Sequence, residues 1–285
     1  MYVTGLVDLH AKIVIDMVEG NAARDLRRWT EQADGKGLAG ITVVATDLAE
    51  SFRSGLSPHL DHARRVTDPF HVVRVANRCV DSVRRRVQNE TLGHRGRKQD
   101  PLYRIRKLLL AGSERLDERG RDRMLLGLRV GDPDDELVGA WLAKESVRDV
   151  YLAKTPADAA TLLDKAIAGC AADEVAEIRA LGKTLASWRT EILAHHDTGA
   201  SNGPTEGLNL CVKKVKRCGH GFRSFDHYRL RVLLHTVVSP GPAARTRPAS
   251  EEDVPSSVEL RWRPEVLGQA ATFSFSHEGV TVLGM

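Results

Sequence analysis

The chain has 285 residues and a formal net charge of +4, with 42% hydrophobic and 28% charged residues. That length suffices for one large or two small domains with a sizeable core. It carries no secretory leader and no apolar run long enough to span a membrane, and its four cysteines form no CxxC pair, so a reduced cytoplasmic protein is expected.

The first residues alternate. Val3, Gly5, Val7 and Leu9 stand against Thr4, Leu6 and Asp8, which predicts a strand over Tyr2–Leu9. Lys12–Val18 reads as a second strand, antiparallel to the first through a short turn and ended by Gly20. Asn21 is placed to cap a helix from Ala22 to Ala33, with Leu26 and Trp29 on its apolar side and Gly35 and Gly37 stopping it. Ile41–Ala45 is a continuous apolar run ending in Thr46-Asp47, the pattern of a central strand covered on both faces. A helix over Ala49–Leu60 and a short strand over Arg64–Thr67 follow, and Asp68-Pro69-Phe70-His71 opens a long basic helix.

Leu92–Lys98 is a Gly- and Arg-rich loop, after which Pro101–His195 reads as wholly helical. Asp132-Pro133 and Thr155-Pro156 are capping signals, and Trp141, Tyr151 and Trp188 are expected to pack inside this block. A helix opens near Ser201, with Pro204 suited to its first position. At about 100° per residue, Leu208, Cys211, Val212, Val215 and Cys218 share one side, and Glu206, Asn209, Lys213 and Arg217 the other. Burial on the apolar side explains both cysteines better than a zinc site, because Cys211, Cys218 and His220 fit no common zinc spacing. Phe222–Val238 reads as a further helix. Beyond it, a Pro-, Ser- and Arg-rich stretch to Pro264 reads as linker, and Ala271–Val282 has the pattern of a short strand.

Two clusters concentrate positive charge. Arg84, Arg85, Arg86, Arg95, Arg97 and Lys98 lie within the stretch from Arg74 to Lys107, and Lys213, Lys214, Lys216 and Arg217 lead a second stretch that runs to Arg231. Clustered cations attract polyanions, although solvated helix faces give the same pattern. Asp47 sits at the carboxyl end of the most strand-like run, where open α/β sheets collect catalytic groups, and it is also placed to cap the next helix. Asp68 reads as an N-cap because Pro69 follows it, and His71 as a packed side chain. Glu206 is a carboxylate on a basic helix face. Carboxylates that hold divalent metal activate a water or a hydroxyl against a phosphodiester, and hard oxygen donors suit Mg2+.

Several motifs in order carry a resemblance. They are Tyr2-Val3-Thr4-Gly5-Leu6-Val7-Asp8-Leu9, Val44-Ala45-Thr46-Asp47, Asp68-Pro69-Phe70-His71-Val72-Val73-Arg74, and Gly93-His94-Arg95-Gly96-Arg97-Lys98 with Asp100-Pro101-Leu102-Tyr103. Thr205-Glu206-Gly207-Leu208-Asn209, Gly219-His220-Gly221-Phe222 and Tyr228-Arg229-Leu230-Arg231 complete the set. Together they resemble the catalytic core of a DDE-type insertion-sequence transposase of the ISL-three family. The resemblance implies an α/β fold with a ribonuclease-H-like core and a large all-helical insertion before the last acidic residue. It places the core at residues 1–90 and 200–238 and the insertion at 91–199; the tail at 239–285 departs from the family pattern and reads as poorly ordered from its composition.

The resemblance makes Asp47 and Glu206 the second and third catalytic acids and the metal ligands for Mg2+ or Mn2+. It places the first acid on a core strand upstream of Tyr2–Leu9, so the core is expected to lack its first strand. Asp8 lies on the wrong strand to replace that acid. The implied activity is metal-dependent cleavage and strand transfer at transposon ends, impaired by the missing strand. Double-stranded DNA is the partner, held by Arg84, Arg85, Arg86, Arg95, Arg97, Lys98, Lys213, Lys214 and Arg217. Pairing of two ends implies a homo-oligomer. The alternatives are a non-catalytic DNA-binding remnant or regulator of a full-length transposase, and a helical protein-interaction module.

Overall fold

The computed structural model describes residues 2–201, 203–238 and 280–284, with side chains for all of these except residues 203, 204, 206, 237, 238 and 280–284. The expected linker after Val238 lies outside the described residues. Two compact units form, one from residues 1–68 and 200–285, the other from residues 69–199. No described helix is long and apolar enough to cross a membrane.

The first unit is built on a mixed sheet. β1 (Val3–Asp8) and β2 (Ile13–Glu19) form an antiparallel hairpin with a register shift at Leu6/Val7. The hairpin turn is closed by Asp8, whose Oδ1 accepts the N–H groups of His10 and Ala11 at 2.8 and 2.9 Å. β3 (Val43–Thr46) and β4 (Arg64–Thr67) pair in parallel. β5 (Val280–Gly284) lies between β1, to which it is antiparallel, and β3, to which it is parallel. The strand order is β2-β1-β5-β3-β4. The far end of the chain thus stands between β1 and β3, and residues 280–284, which overlap the strand expected over 271–282, form a strand within the tail otherwise expected to be poorly ordered.

Alternation along β1 decides which side chain enters which layer. Leu6 packs with Leu26, Leu38, Ile41, Val44, Phe52 and Leu56, beneath α1 (Ala23–Gln32), α2 (Gly35–Ala39) and α3 (Glu50–Leu56). Val3 and Val7 pack with Val14, Met17, Leu208, Val212, Tyr228 and Val232, beneath α11 (Gly203–Cys218) and α12 (Phe225–Val238). Each fully buried aliphatic side chain contributes about 2 kcal/mol. α1 and α3 approach closely at Gly55, where a Cβ would meet the Ala23 carbonyl and Leu26 Cβ at 2.9 Å.

Local details depart from the sequence reading. The residue at the N-cap of α1 is Ala22 rather than Asn21, and Asp25 accepts the Ala22 N–H at 3.2 Å. α1 ends at its C-cap Ala33, as expected, but Gly35 then opens a further short helix, α2, which Asp34 caps by accepting the Lys36 N–H at 3.2 Å. Cys218, expected on the buried face of α11, is exposed, because the helix runs past its core contacts before it ends.

The second unit is helical: α4 (Pro69–Leu92), α5 (Pro101–Leu110), a short 3-10 turn, then α6 (Glu118–Gly131) and α7 (Glu136–Leu152). α8 (Pro156–Ala172), α9 (Ala176–Ser187) and α10 (Arg189–Thr198) complete it. Both capping signals act. Thr155 accepts the Asp158 N–H, and Asp132 reaches forward to the N–H groups of Leu137 and Val138 at 2.9 and 3.0 Å. Trp188 is buried, whereas Trp141 and Tyr151 are half-buried.

Candidate active site and basic surfaces

Asp47 directly follows β3, at its carboxyl edge, and is half-exposed. The N-cap of α3 is Ala49, two residues further on. The parallel register pairs Thr46 with Thr67, so Asp47 and the buried Asp68 leave adjacent strands at the same edge, with the strands about 4.8 Å apart. Pro69 then begins α4, as expected of an Asp-Pro helix entry.

Asp8 lies elsewhere. It pairs with Val280, which pairs with Val44 near the start of β3. It is therefore offset from Asp47 by roughly 10 Å along the strands and roughly 10 Å across them. Its carboxylate is already engaged in the hairpin turn. β5 contains no acidic residue either.

Glu206 lies in the first turn of α11, in the same unit as Asp47. The helix that carries it is fixed by Leu208 and Val212 in the core and by Tyr228, whose hydroxyl donates to the Val212 carbonyl at 3.3 Å. Burial pushes the Tyr228 hydroxyl pKa up, so it stays a donor. α12 is in turn tied to the sheet by Asp16 of β2. The Asp16 carboxylate accepts Arg229 Nε of α12 at 2.5 Å and Trp29 Nε1 of α1 at 2.9 Å. Sequence reasoning missed Asp16; the one available signal was a carboxylate interrupting an apolar strand. Among the described residues, no group of three or more His, Cys, Asp or Glu side chains is placed to hold a metal ion.

The basic residues divide by environment. Arg84 is buried, donating to Asp81 at 2.6 Å and to Gln88, and Arg85 pairs with Asp81 at 2.6 Å. Arg86 binds Glu177 at 2.8 Å, Glu136 at 2.9 Å and Glu90 at 3.1 Å. The hydrogen bonds it donates to Glu177 and Glu136 raise its pKa further. Arg86 thus ties α4 to α7 and α9, whereas Arg84 and Arg85 pair within α4 and Arg85 stays exposed. Arg95, Arg97 and Lys98 are exposed on the loop before α5. That loop is braced by Asp100, which accepts the Arg97 N–H, and by His94, whose Nδ1 accepts the Gly96 N–H at 3.2 Å. Lys213, Lys214 and Arg217 are exposed on α11.

A mixed sheet covered by helices on both faces, with an acid at the carboxyl edge of an inner strand, defines an α/β unit whose strand ends are the place for a ligand. The comparisons name the family. A family model for DDE transposases of the ISL-three type, described as a transposase, matches residues 1–232, and the chain belongs to this family. It is 24% identical over 236 residues to the transposase of insertion sequence element IS1001 from Bordetella parapertussis, covering 81% of this chain and 56% of that protein. It is 26% identical over 243 residues to the transposase of element IS1557 from Mycobacterium tuberculosis (strain CDC 1551 / Oshkosh), covering 78% of this chain and 54% of that protein. The chain thus spans about half the length of the curated relatives it matches. No solved structure matches it.

Proposed function

We propose that the chain is the catalytic segment of a DNA transposase with a ribonuclease-H-like core, in which Asp47 and Glu206 hold Mg2+ or Mn2+ and the exposed cations hold DNA. The observation that carries this reading is the position of Asp47 at the carboxyl edge of β3, in the unit that also contains the helix of Glu206, in a chain of the transposase family.

The donor chemistry fits the metal, because Mg2+ takes one or two carboxylates from a protein and completes its shell with water and phosphate oxygens. When bound, the metal polarises the phosphodiester and lowers the pKa of an attacking water or 3′-hydroxyl. The protein's part is placement. β3 presents Asp47 from a strand covered on both faces, and the Asp16–Arg229 pair steadies the helices around Glu206. Arg95, Arg97, Lys98, Lys213, Lys214 and Arg217 supply phosphate contacts that weaken with salt.

A second reading, DNA binding without catalysis, draws on the absence of an acidic residue from β5 and on the position of Asp8 away from Asp47. One experiment separates them. The purified chain is incubated with duplex carrying candidate transposon ends and Mg2+ or Mn2+, alongside Asp47→Ala and Glu206→Ala. Cutting by the wild type that both substitutions abolish, with DNA binding retained, supports the enzyme. Binding without cutting in all three supports the second reading.

A further inference from the structure

The catalytic reading leaves the Gly219-His220-Gly221-Phe222 motif without a role. The motif forms the turn from α11 into α12, and its backbone is unusual. His220 and Gly221 both have positive φ, 49° and 100°. At Gly219 a Cβ would come within 2.5 Å of Phe222 Cε2 and Cζ, so the Phe222 ring lies against bare backbone. A left-handed non-glycine residue carries a backbone cost, and the missing Cβ of Gly219 leaves room for Phe222 to fold back over the end of α11.

Phe222 packs against Tyr228, with ring centroids 5.0 Å apart, and also lines a groove of about 510 Å³. The other lining residues are Gly219, Gly221, Arg223, His227, Leu230 and Arg231. The floor is carbon: the Phe222 ring, the glycine backbone and Leu230, which is 43% exposed. The rim is cationic. Arg223, His227 and Arg231 are exposed, and among the described residues no carboxylate lines the groove with them. A site for bare phosphate has no use for the carbon floor, and an apolar peptide has none for two exposed guanidinium groups on the rim. An aromatic ring beside arginines is what an unpaired nucleotide uses, its base on the ring and its phosphates on the cations.

We propose that this groove binds an unpaired nucleotide of a DNA strand, the base lying on Phe222 and Leu230 and the flanking phosphates on Arg223 and Arg231. The inference rests on the DNA reading above for its class of partner, and not on metal or catalysis.

The test uses the full chain without metal and reads fluorescence anisotropy on three probes. They are a short oligothymidylate, an abasic strand of the same length, and a blunt duplex. The wild type binds the abasic strand about tenfold more weakly than the oligothymidylate, through loss of stacking. Phe222→Leu, which keeps an apolar core contact, weakens the oligothymidylate about as much and leaves the abasic strand unchanged. The Arg223→Glu/Arg231→Glu double variant weakens both single strands. Urea midpoints equal to wild type exclude misfolding, and should Phe222→Leu unfold, the abasic comparison on wild type carries the same test. Equal affinity for the abasic strand and the oligothymidylate overturns the proposal, as does a double variant that binds like wild type. Duplex binding without single-strand binding also overturns the groove while leaving the DNA reading intact. Loss of all three probes overturns the DNA reading itself.

Discussion

Arg229 of α12 and Asp16 of β2 are 213 positions apart in sequence and meet at 2.5 Å, Nε donating to Oδ1. The other carboxylate oxygen takes Trp29 Nε1, so one side chain on the edge strand holds helices from both layers. Asp16→Ala removes the acceptor of Arg229 Nε and of the Trp29 indole together. A loss of about 3 kcal/mol is expected, measured by urea unfolding. Arg229→Met, which leaves Asp16 its indole donor, is expected to cost less. Equal stability of Asp16→Ala and wild type would remove Asp16 from its positioning role.

Lys144 of α7 has no exposed side-chain surface and donates to the carbonyls of Leu109 and Ala111 at 2.7 and 2.6 Å, at the C-terminal end of α5. A cation there complements the helix dipole and satisfies carbonyls that have no helical partner. Burial pulls its pKa down, and the Glu145 carboxylate opposes that shift. Lys144→Met matches the volume but removes the donor to both carbonyls and the ion-pair partner of Glu145 Oε1, so a loss of about 3 kcal/mol is expected. Hydrogen exchange should show the loss first at the end of α5. Unchanged protection there would refute the capping role.

Glu177 links acidity to the stability of the helical unit. Burial raises its pKa, but the hydrogen bond from Arg86 outweighs this and holds the carboxyl below its ordinary 4.5. A depressed folded-state value means stability that is present above the unfolded-state pKa and is lost as pH falls through the folded one. The gap in Tm between wild type and Glu177→Gln should therefore be full at neutral pH and close progressively in acid. A gap that persisted at the acid end would contradict this assignment.

The cysteines differ in reactivity. Burial, with Cys170 next in effect, pushes the Cys79 thiol up to about 12, and burial pushes Cys170 up to about 11. Both stay protonated at neutral pH and are shielded from reagents. Cys218 is exposed. Alkylation of the native chain, followed by mass spectrometry, should label Cys218 first and reach Cys79 and Cys170 only on unfolding.

The division of the arginines predicts two phenotypes. Lys213→Ala with Arg217→Ala should lower the slope of log affinity for duplex DNA against log salt by about 2. Arg86→Met should leave that slope unchanged and lower stability by about 2 kcal/mol, because its guanidinium is engaged by Glu177, Glu136 and Glu90. A salt slope altered by Arg86→Met would return that residue to the DNA surface.

Much of the architecture was legible because it follows from local rules. The alternation of Val3, Leu6 and Val7 already assigned them to opposite faces, Arg64–Thr67 forms the strand it spelled, and Thr155 caps the helix that Pro156 opens. Period, capping and turn chemistry act over a few residues, and a reader of the chain sees all of them at once.

What acts between distant residues was decided by folding alone. Charge clustering along the chain grouped Arg84, Arg85 and Arg86 with Arg95 and Lys98, but the carboxylates that occupy Arg86 come from helices 50 and 91 positions away. The place of β5 between β1 and β3 is likewise invisible in a five-residue apolar run. By itself the sequence determined most of the elements and their apolar faces and singled out Asp47 and Glu206 as candidate acids. Only the tertiary structure decided which charges bind each other, which carboxylate anchors the helices and what fills the middle of the sheet, because those partners are chosen by proximity in space.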